Sequence, residues 1–283
     1  MARVMSLPRR DGWRYRVTAQ ERERFERDGY VHLEGVLSDV EVDEVEEVYQ
    51  RFLRREIEVE GKDFCDMSGD YGRQVDDYSI INVMLPRRYH PEWQGNIYER
   101  RVASIAEQLR GPDMVLDYDQ LLAKPPRKTD AVFAWHQDLA YWINTPDPRT
   151  ATAWLAVDEA TEENGCMCFV PGSHREPALR PHRPLRGERG KSHALIAEVD
   201  EERDEVVTVP IRRGDVTVHH ERVIHGSRGN LSDGWRRAYV VAFRARATVE
   251  EERRRGFTHS HNDAPSVLGQ VGIDGQSREG ELR

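Results

Sequence analysis

The sequence predicts a mainly β protein with flanking helices: a double-stranded β-helix, the jelly-roll or cupin-like barrel, with N-terminal helices packed outside it. Three observations carry that reading. Capped amphipathic helices fill the first third of the chain. From Val115 onward the hydrophobic pattern changes to period two in six short runs, and Gly, Pro and Asp mark the long loops between them.

Thr18-Ala19-Gln20-Glu21 and Ser38-Asp39-Val40-Glu41 both fit the capping box, in which the hydroxyl accepts an orphan N–H and the acid reaches back to the cap. Two helices are expected to follow. The first ends near Gly29, and the second carries Val42, Val45, Tyr49 and Phe52 on one face. Between them, Tyr30-Val31-His32-Leu33 reads as a strand. The polar, Gly-containing stretch from Gly61 to Arg73 reads as a mobile loop, although Phe64, Cys65 and Met67 lie inside it. A third helix is expected from Asn96 to Leu109, closed by Gly111-Pro112. Strands are then expected at Val115–Leu122, Ala151–Val157, Cys166–Val170, Val206–Ile211, Val216–Ile224 and Ala238–Ala245. No internal repeat is visible. The expected division is one elaborated barrel domain over 1–247 and a polar C-terminal helix with a loose tail over 248–283.

With 42 Lys and Arg against 51 Asp and Glu in 283 residues, the net charge of −9 argues against a general nucleic-acid binder, which needs an excess of cations over phosphate. No window approaches the roughly 18 apolar residues of a membrane span, and the first ten residues lack the apolar core of a signal peptide, so a cytoplasmic location without a membrane partner is expected. Three cysteines cannot all pair, and the single-residue gap between Cys166 and Cys168 is no zinc spacing; buried reduced thiols in a strand are expected.

The strongest chemical signal is Trp135-His136-Gln137-Asp138. A His and an Asp two apart on extended chain project to one side and supply two thirds of the two-His-one-carboxylate face that holds non-haem Fe(II). A second histidine set, His219-His220 and His225, follows in β context. His220-Glu221 with His225 superficially resembles a zinc-protease HExxH, but the histidines are five apart rather than four and their β-branched neighbours favour a strand. His219 and His220 point to opposite faces, so at most one shares the surroundings of His225; His220 reads as a packed histidine. His174, His182 and His193 read as loop residues, and His259 and His261 as part of the tail. Arg236 and Arg237 enter a strand on opposite faces. The Arg236 face continues with the small residues Ala238, Val240 and Ala242, leaving room for a bound molecule, whereas Tyr239 and Phe243 on the other face would pack against helices. A buried guanidinium needs a carboxylate, none is near in sequence, and a ligand carboxylate would serve.

These residues resemble the phytanoyl-CoA dioxygenase family of Fe(II)- and 2-oxoglutarate-dependent oxygenases, over roughly Val115 to Arg246 and more loosely around Asp28-Gly29-Tyr30-Val31. Three motifs carry the resemblance: His136-Gln137-Asp138-Leu139 with Tyr141-Trp142; Asn164-Gly165-Cys166 leading to Pro171-Gly172-Ser173-His174; and His225-Gly226-Ser227 with Asn230 and Arg236. It implies that His136, Asp138 and His225 hold iron, that Arg236 meets the distal carboxylate of 2-oxoglutarate, and that Ser227, Trp154 and Asn82 surround this co-substrate. Three protein ligands would leave three positions of an octahedral iron, two for the 2-oxo acid and one for O2. Related halogenases replace the carboxylate by a small residue, so Asp138 favours hydroxylation or an oxidative variant such as desaturation, ring closure or epoxidation. The expected function is oxidation of an unactivated C–H of a small metabolite with release of succinate and CO2. A non-catalytic jelly-roll module that binds a small molecule is the other reading. Tyr141 and Trp142 either line the pocket or pack structurally. The run from Arg175 to Lys191 carries six cations against Glu176 and Glu188, and reads either as a solvated loop or as a basic lid suited to an anionic substrate.

Overall fold

The computed structural model describes residues 8–188 and 190–271; residues 1–7, Arg189 and residues 272–283 lie outside the described part. In chain order its main elements are α1 (Ala19–Asp28), β1 (Tyr30–Leu33), α2 (Asp39–Leu53), β2 (Phe64–Asp66), β3 (Ile81–Met84), α3 (Ile97–Arg110), β4 (Met114–Lys124), β5 (Phe133–His136), β6 (Thr150–Ala156), β7 (Met167–Val170), β8 (Val207–Val209), β9 (Val216–His219), β10 (Ile224–Ser227), β11 (Arg236–Ala245) and α4 (Arg246–Arg254).

Two main antiparallel sheets result, beside two short two-stranded ribbons. The larger has the order β1-β9-β6-β11-β4-β3-β2, the smaller β8-β7-β10-β5, and side chains from both line one cavity. Both capping boxes form: the Thr18 hydroxyl accepts from the Glu21 N–H at 3.2 Å, and the Ser38 N–H donates to the Glu41 carboxylate at 2.8 Å. Gly29 closes α1 at φ +82°, a left-handed conformation that admits glycine without strain. The stripe Val42, Val45, Tyr49 and Phe52 is buried with Tyr98, Val102 and Ile105 of α3 against Tyr239, Val241 and Phe243 of β11. The helices thus cover the outer face of the large sheet, and the inner face is left for the cavity.

Three expectations need correction. The single strand Val216–Ile224 is two strands in different sheets, β9 and β10. Between them the chain turns, with the Val223 N–H donating to the His220 carbonyl at 3.1 Å. The buried Glu221 rewards this turn, since its carboxylate accepts from the Thr150 N–H at 3.1 Å and pairs with Arg110 at 3.2 Å. Local satisfaction of a buried charge here outweighs the strand preference of Val and Ile. The stretch Gly61–Arg73 contains β2, the edge of the large sheet, and is pinned by Asp66, whose carboxylate accepts from the backbone N–H groups of Ser68, Ser79 and Ile80 at 3.0–3.1 Å. After α4 the chain does not leave the body as a loose tail: Phe257, His259, Ser260, His261 and Val271 are all buried. Among the described residues no helix is long and apolar enough to cross a membrane.

Candidate active site

Strand register assembles the site. His136 on β5 pairs directly with His225 on β10, and Thr152 on β6 pairs with His219 on β9. Asp138 sits just past β5, at the start of a short 3-10 turn, between the two pairs. Its Oδ1 lies 3.6 Å from His136 Nε2 and 3.5 Å from His225 Nε2, and one donor atom from each of the three residues falls within 4.8 Å of the others.

The hydrogen bonds fix what each group offers. His136 Nδ1–H donates to the Ala134 carbonyl at 2.8 Å, and His225 Nδ1–H to the Val223 carbonyl at 3.0 Å. Each imidazole is therefore held as the tautomer whose Nε2 lone pair faces Asp138. Burial pushes the His225 imidazole well below its ordinary value, which keeps that lone pair available. On Asp138, burial alone would raise the carboxyl. The three histidines around it, with His219 donating to it, outweigh burial and hold Asp138 well below the usual carboxylate range. Thr152 Oγ1–H and His219 Nε2–H donate to Oδ2, at 3.0 and 3.2 Å, so Oδ1 is the oxygen left to face the histidines. Two neutral nitrogens and one anionic oxygen at these distances suit a divalent first-row cation bound on one face. The donor set fits iron.

Arg236 lines the same cavity and is only 2% exposed. Among the described residues no carboxylate comes within salt-bridge distance of it, and its Nε has no hydrogen-bond partner. Burial pushes its guanidinium down to about 10. It lies over the Trp154 ring, 5.3 Å from the centroid. Arg237 has the opposite surroundings, donating to Asp158 at 2.5 and 2.8 Å and pairing with Glu46 at 2.7 Å. Of the adjacent arginines, the one facing the cavity lacks an anion.

Sequence reasoning placed Trp154 and Ser227 near the co-substrate, and both line the cavity. Asn82 does not line it. Fully buried one layer back, it accepts from Gln120 Nε2 at 2.6 Å and donates to Cys65 Sγ at 3.5 Å, so it can act on the cavity only through Gln120. Tyr141 and Trp142 line the cavity. Two residues were missed. One is His219, since the sequence leaves open which of His219 and His220 shares the surroundings of His225; His220 turns toward Phe25 of α1. The other is Lys124, cross-strand partner of Arg236, fully buried with its ammonium donating to Ser227 Oγ at 2.7 Å and to the Arg228 carbonyl. Nothing in the local pattern of β4 marked that lysine as buried. All three cysteines are buried and reduced.

This architecture and donor set define the class of iron- and 2-oxoglutarate-dependent oxygenases. The family model for phytanoyl-CoA dioxygenase (PhyH) matches residues 25–238. The bovine peroxisomal phytanoyl-CoA dioxygenase is 24% identical over 231 residues, 80% of this chain and 68% of the bovine one. Among solved structures, EvdO2 from Micromonospora carbonacea var. aurantiaca complexed with 2-oxoglutarate superposes with a TM-score of 0.65 at 29% identity, covering 81% of this chain and 91% of EvdO2. The epimerase SnoN, solved with Fe3+, alpha ketoglutarate and nogalamycin RO, gives a TM-score of 0.60 at 28% identity, covering 80% of this chain and 82% of SnoN. The chain belongs to the phytanoyl-CoA dioxygenase family, and with it to the oxygenases that use iron, 2-oxoglutarate and O2.

Proposed function

We propose that this protein oxidises an unactivated C–H of a small metabolite, with His136 Nε2, Asp138 Oδ1 and His225 Nε2 holding Fe(II) and Arg236 holding the distal carboxylate of 2-oxoglutarate. The observation that carries the reading is the buried, unpaired guanidinium of Arg236 in the same cavity as the His-Asp-His face. Unpaired buried charge is costly, and a ligand carboxylate met by two parallel N–H bonds offsets that cost. Bound between these groups, iron and 2-oxoglutarate supply with O2 the oxidant for the C–H, with succinate and CO2 released.

The chain's own residues do the positioning. Ala134 and Val223 fix the two histidine tautomers, and Thr152 and His219 hold Asp138 so that one oxygen faces the metal position. The Trp154 ring lies beneath the Arg236 guanidinium, and the Lys124 ammonium anchors Ser227 beside it. Val240 and Met167 line the cavity between and keep it apolar.

The finer expectation of an anionic substrate steered by a basic lid rests on Arg175–Lys191, where Arg180, Arg186 and Lys191 have acidic partners. Arg180 is held by Glu176 and Asp204 at 2.8 and 2.7 Å, and Lys191 by Glu188 at 3.3 Å. Arg189 lies outside the described residues.

The test is anaerobic addition of Fe(II) and 2-oxoglutarate, read by the visible charge-transfer absorbance of the ternary complex, followed by O2-dependent succinate formation across a metabolite panel. Absorbance and iron-dependent succinate are expected. A protein that binds small molecules but neither forms that complex nor consumes 2-oxoglutarate would be the non-catalytic module instead.

A further inference from the structure

The cavity beyond the metal position is walled by rings. One run leads outward from His136. Tyr141 meets it edge-on at 5.5 Å between centroids, His193 stacks on Tyr141 at 5.2 Å, and His261 stacks on His193 at 3.8 Å. A second group gathers round His259, with Tyr118 at 4.4 Å, Phe257 at 4.6 Å and Trp142 at 6.2 Å. Both groups end on the segment that follows α4.

That segment is clasped to the turn before β2. Ser260 Oγ–H and the His261 N–H donate to the buried Asp63 carboxylate at 2.8 and 2.7 Å. Asn262 accepts from the Lys62 N–H and donates to the Glu60 carbonyl, both at 2.9 Å. From this stretch Phe257, His259, Ser260, His261, Leu268 and Val271 line the cavity, and all six lie beyond residue 238, where the family match ends. Charge is scarce in the lining: among the described residues Arg236 is its only Lys or Arg and Asp138 its only carboxylate. His259, the charged-network member that reaches the lining, is engaged by Asp117 and Glu252 at 2.8 and 3.3 Å.

We propose that residues 257–271 form the specificity-determining wall of this enzyme, selecting an uncharged small molecule with a flat ring seated against these aromatic and imidazole faces. The proposal rests on the oxygenase reading above and names its substrate class. A ring face gains dispersion and stacking against such walls. A carboxylate or phosphate in the same place would be desolvated with no cation to meet it, because Arg236 is committed to the co-substrate.

The test titrates 2-naphthol, 2-naphthoate and decanoyl-CoA into the anaerobic Fe(II)/2-oxoglutarate protein, reading the charge-transfer band and tryptophan fluorescence. The neutral naphthol is expected to bind with a Kd at least about tenfold below those of the two anions, because the anions must bury charge unpaired. Phe257→Ala and His261→Ala should each weaken naphthol binding by about fivefold or more, with the charge-transfer band forming at wild-type 2-oxoglutarate concentrations. Anions that bind as tightly as naphthol, no naphthol binding, or variants with wild-type affinity would overturn the proposal. If the band itself never forms in the wild-type protein, the oxygenase reading fails. The naphthol-to-naphthoate ratio is still read by fluorescence on metal-free protein, so the two can fail separately.

Discussion

Asp117, Glu252 and His259 lie as close together as His136, Asp138 and His225: in each trio the donor atoms fall within 4.8 Å and every residue is buried. By residue type and distance both could hold a cation. What separates them is the company they keep. Around Asp117 and Glu252 the chain supplies its own cations, with Arg244 bonded to both carboxylates, Arg253 bonded to Asp117, and His259 donating to Asp117. Around Asp138 no arginine or lysine among the described residues forms an ion pair; its polar neighbours are Thr152 and three histidines, two of them with lone pairs turned inward. The first trio is a closed ion network that ties α4 to β4 and β11, and the second is open on the side facing the cavity. A metal-like residue set becomes a site only where the protein withholds its own counter-ion.

The comparison can be broken in several ways, the largest effect first. Asp138→Ala should abolish 2-oxoglutarate turnover and lower Fe(II) affinity by more than about 100-fold, exceeding the loss typical of a metal ligand's supporting partner, while the circular dichroism spectrum is retained. Metal titration followed by the charge-transfer band checks it; wild-type affinity would sink the assignment. Glu252→Gln should do the reverse. Fe(II) binding should stay unchanged and stability fall by about 3 kcal/mol or more, because the buried Arg244 loses a partner. Chemical denaturation measures this, and a variant that lost metal but not stability would exchange the roles of the two trios.

Arg236→Ala should raise the KM for 2-oxoglutarate by about one to three orders of magnitude, on the order of 2–4 kcal/mol for a buried charge pair broken on one side. Arg237→Ala should leave that constant within about twofold, since its guanidinium is spent on Asp158 and Glu46 and faces away from the cavity. Steady-state kinetics on both variants separates them, and the opposite ranking would mean that β11 is out of register by one residue.

The smallest effect is a pH dependence. The hydrogen bond from Arg101, opposed by burial and helped by the Ser38 cap, holds Glu41 down to about 2. A depressed carboxyl contributes stability that is full above its unfolded value near 4.5 and is lost as pH falls toward 2. Glu41→Gln should therefore cost about 2–3 kcal/mol at neutral pH, and the gap to wild type should close between roughly pH 4.5 and 2. Denaturant midpoints at several pH values give the curve; a gap that did not narrow would assign the effect to the lost cap alone.

What could be read in advance follows from how local the cause is. Capping boxes, the α2 stripe and the alternation along β11 are decided within a few residues, and the elements match the pattern closely: β1 covers the expected Tyr30–Leu33, and α3 begins at the Asn96 cap. The face of Arg236 was legible for the same reason. His219 was nearly so, because adjacent His219 and His220 had to face opposite ways and His220 already read as packed. The turn at 220–223 was not, since it depends on Thr150 and Arg110, each about 70 or more residues away in sequence, satisfying Glu221. Lys124 is buried because its register opposite Arg236 of β11 turns it inward, where Ser227 of β10 and the Arg228 carbonyl accept from it. Asn82 was drawn toward the co-substrate by resemblance across a variable stretch, and the register of β3 on β4 puts it opposite Leu122 and behind Gln120. The C-terminal wall was misread because its polarity looked like that of a solvated tail. Its Ser260, Asn262 and His261 are polar because they grip Asp63 and the turn beside it.

The placement of that wall after β11 has a consequence for how the protein is made. A ribosome delivers β11, the last strand of either sheet, before Phe257, His259 and His261 emerge, so the sandwich and its three-residue metal face can assemble while the cavity still lacks one side. Closure waits for the segment after α4 to reach back to Asp63, about 200 residues upstream, a long-range contact of the slow kind. Chains halted or clipped just after α4, at residue 255 or 256, would keep the Arg244–Glu252 and Arg253–Asp117 pairs and would then be folded, capable of loading iron and 2-oxoglutarate, and indiscriminate. The same seam gives evolution a place to exchange substrate preference without disturbing the barrel.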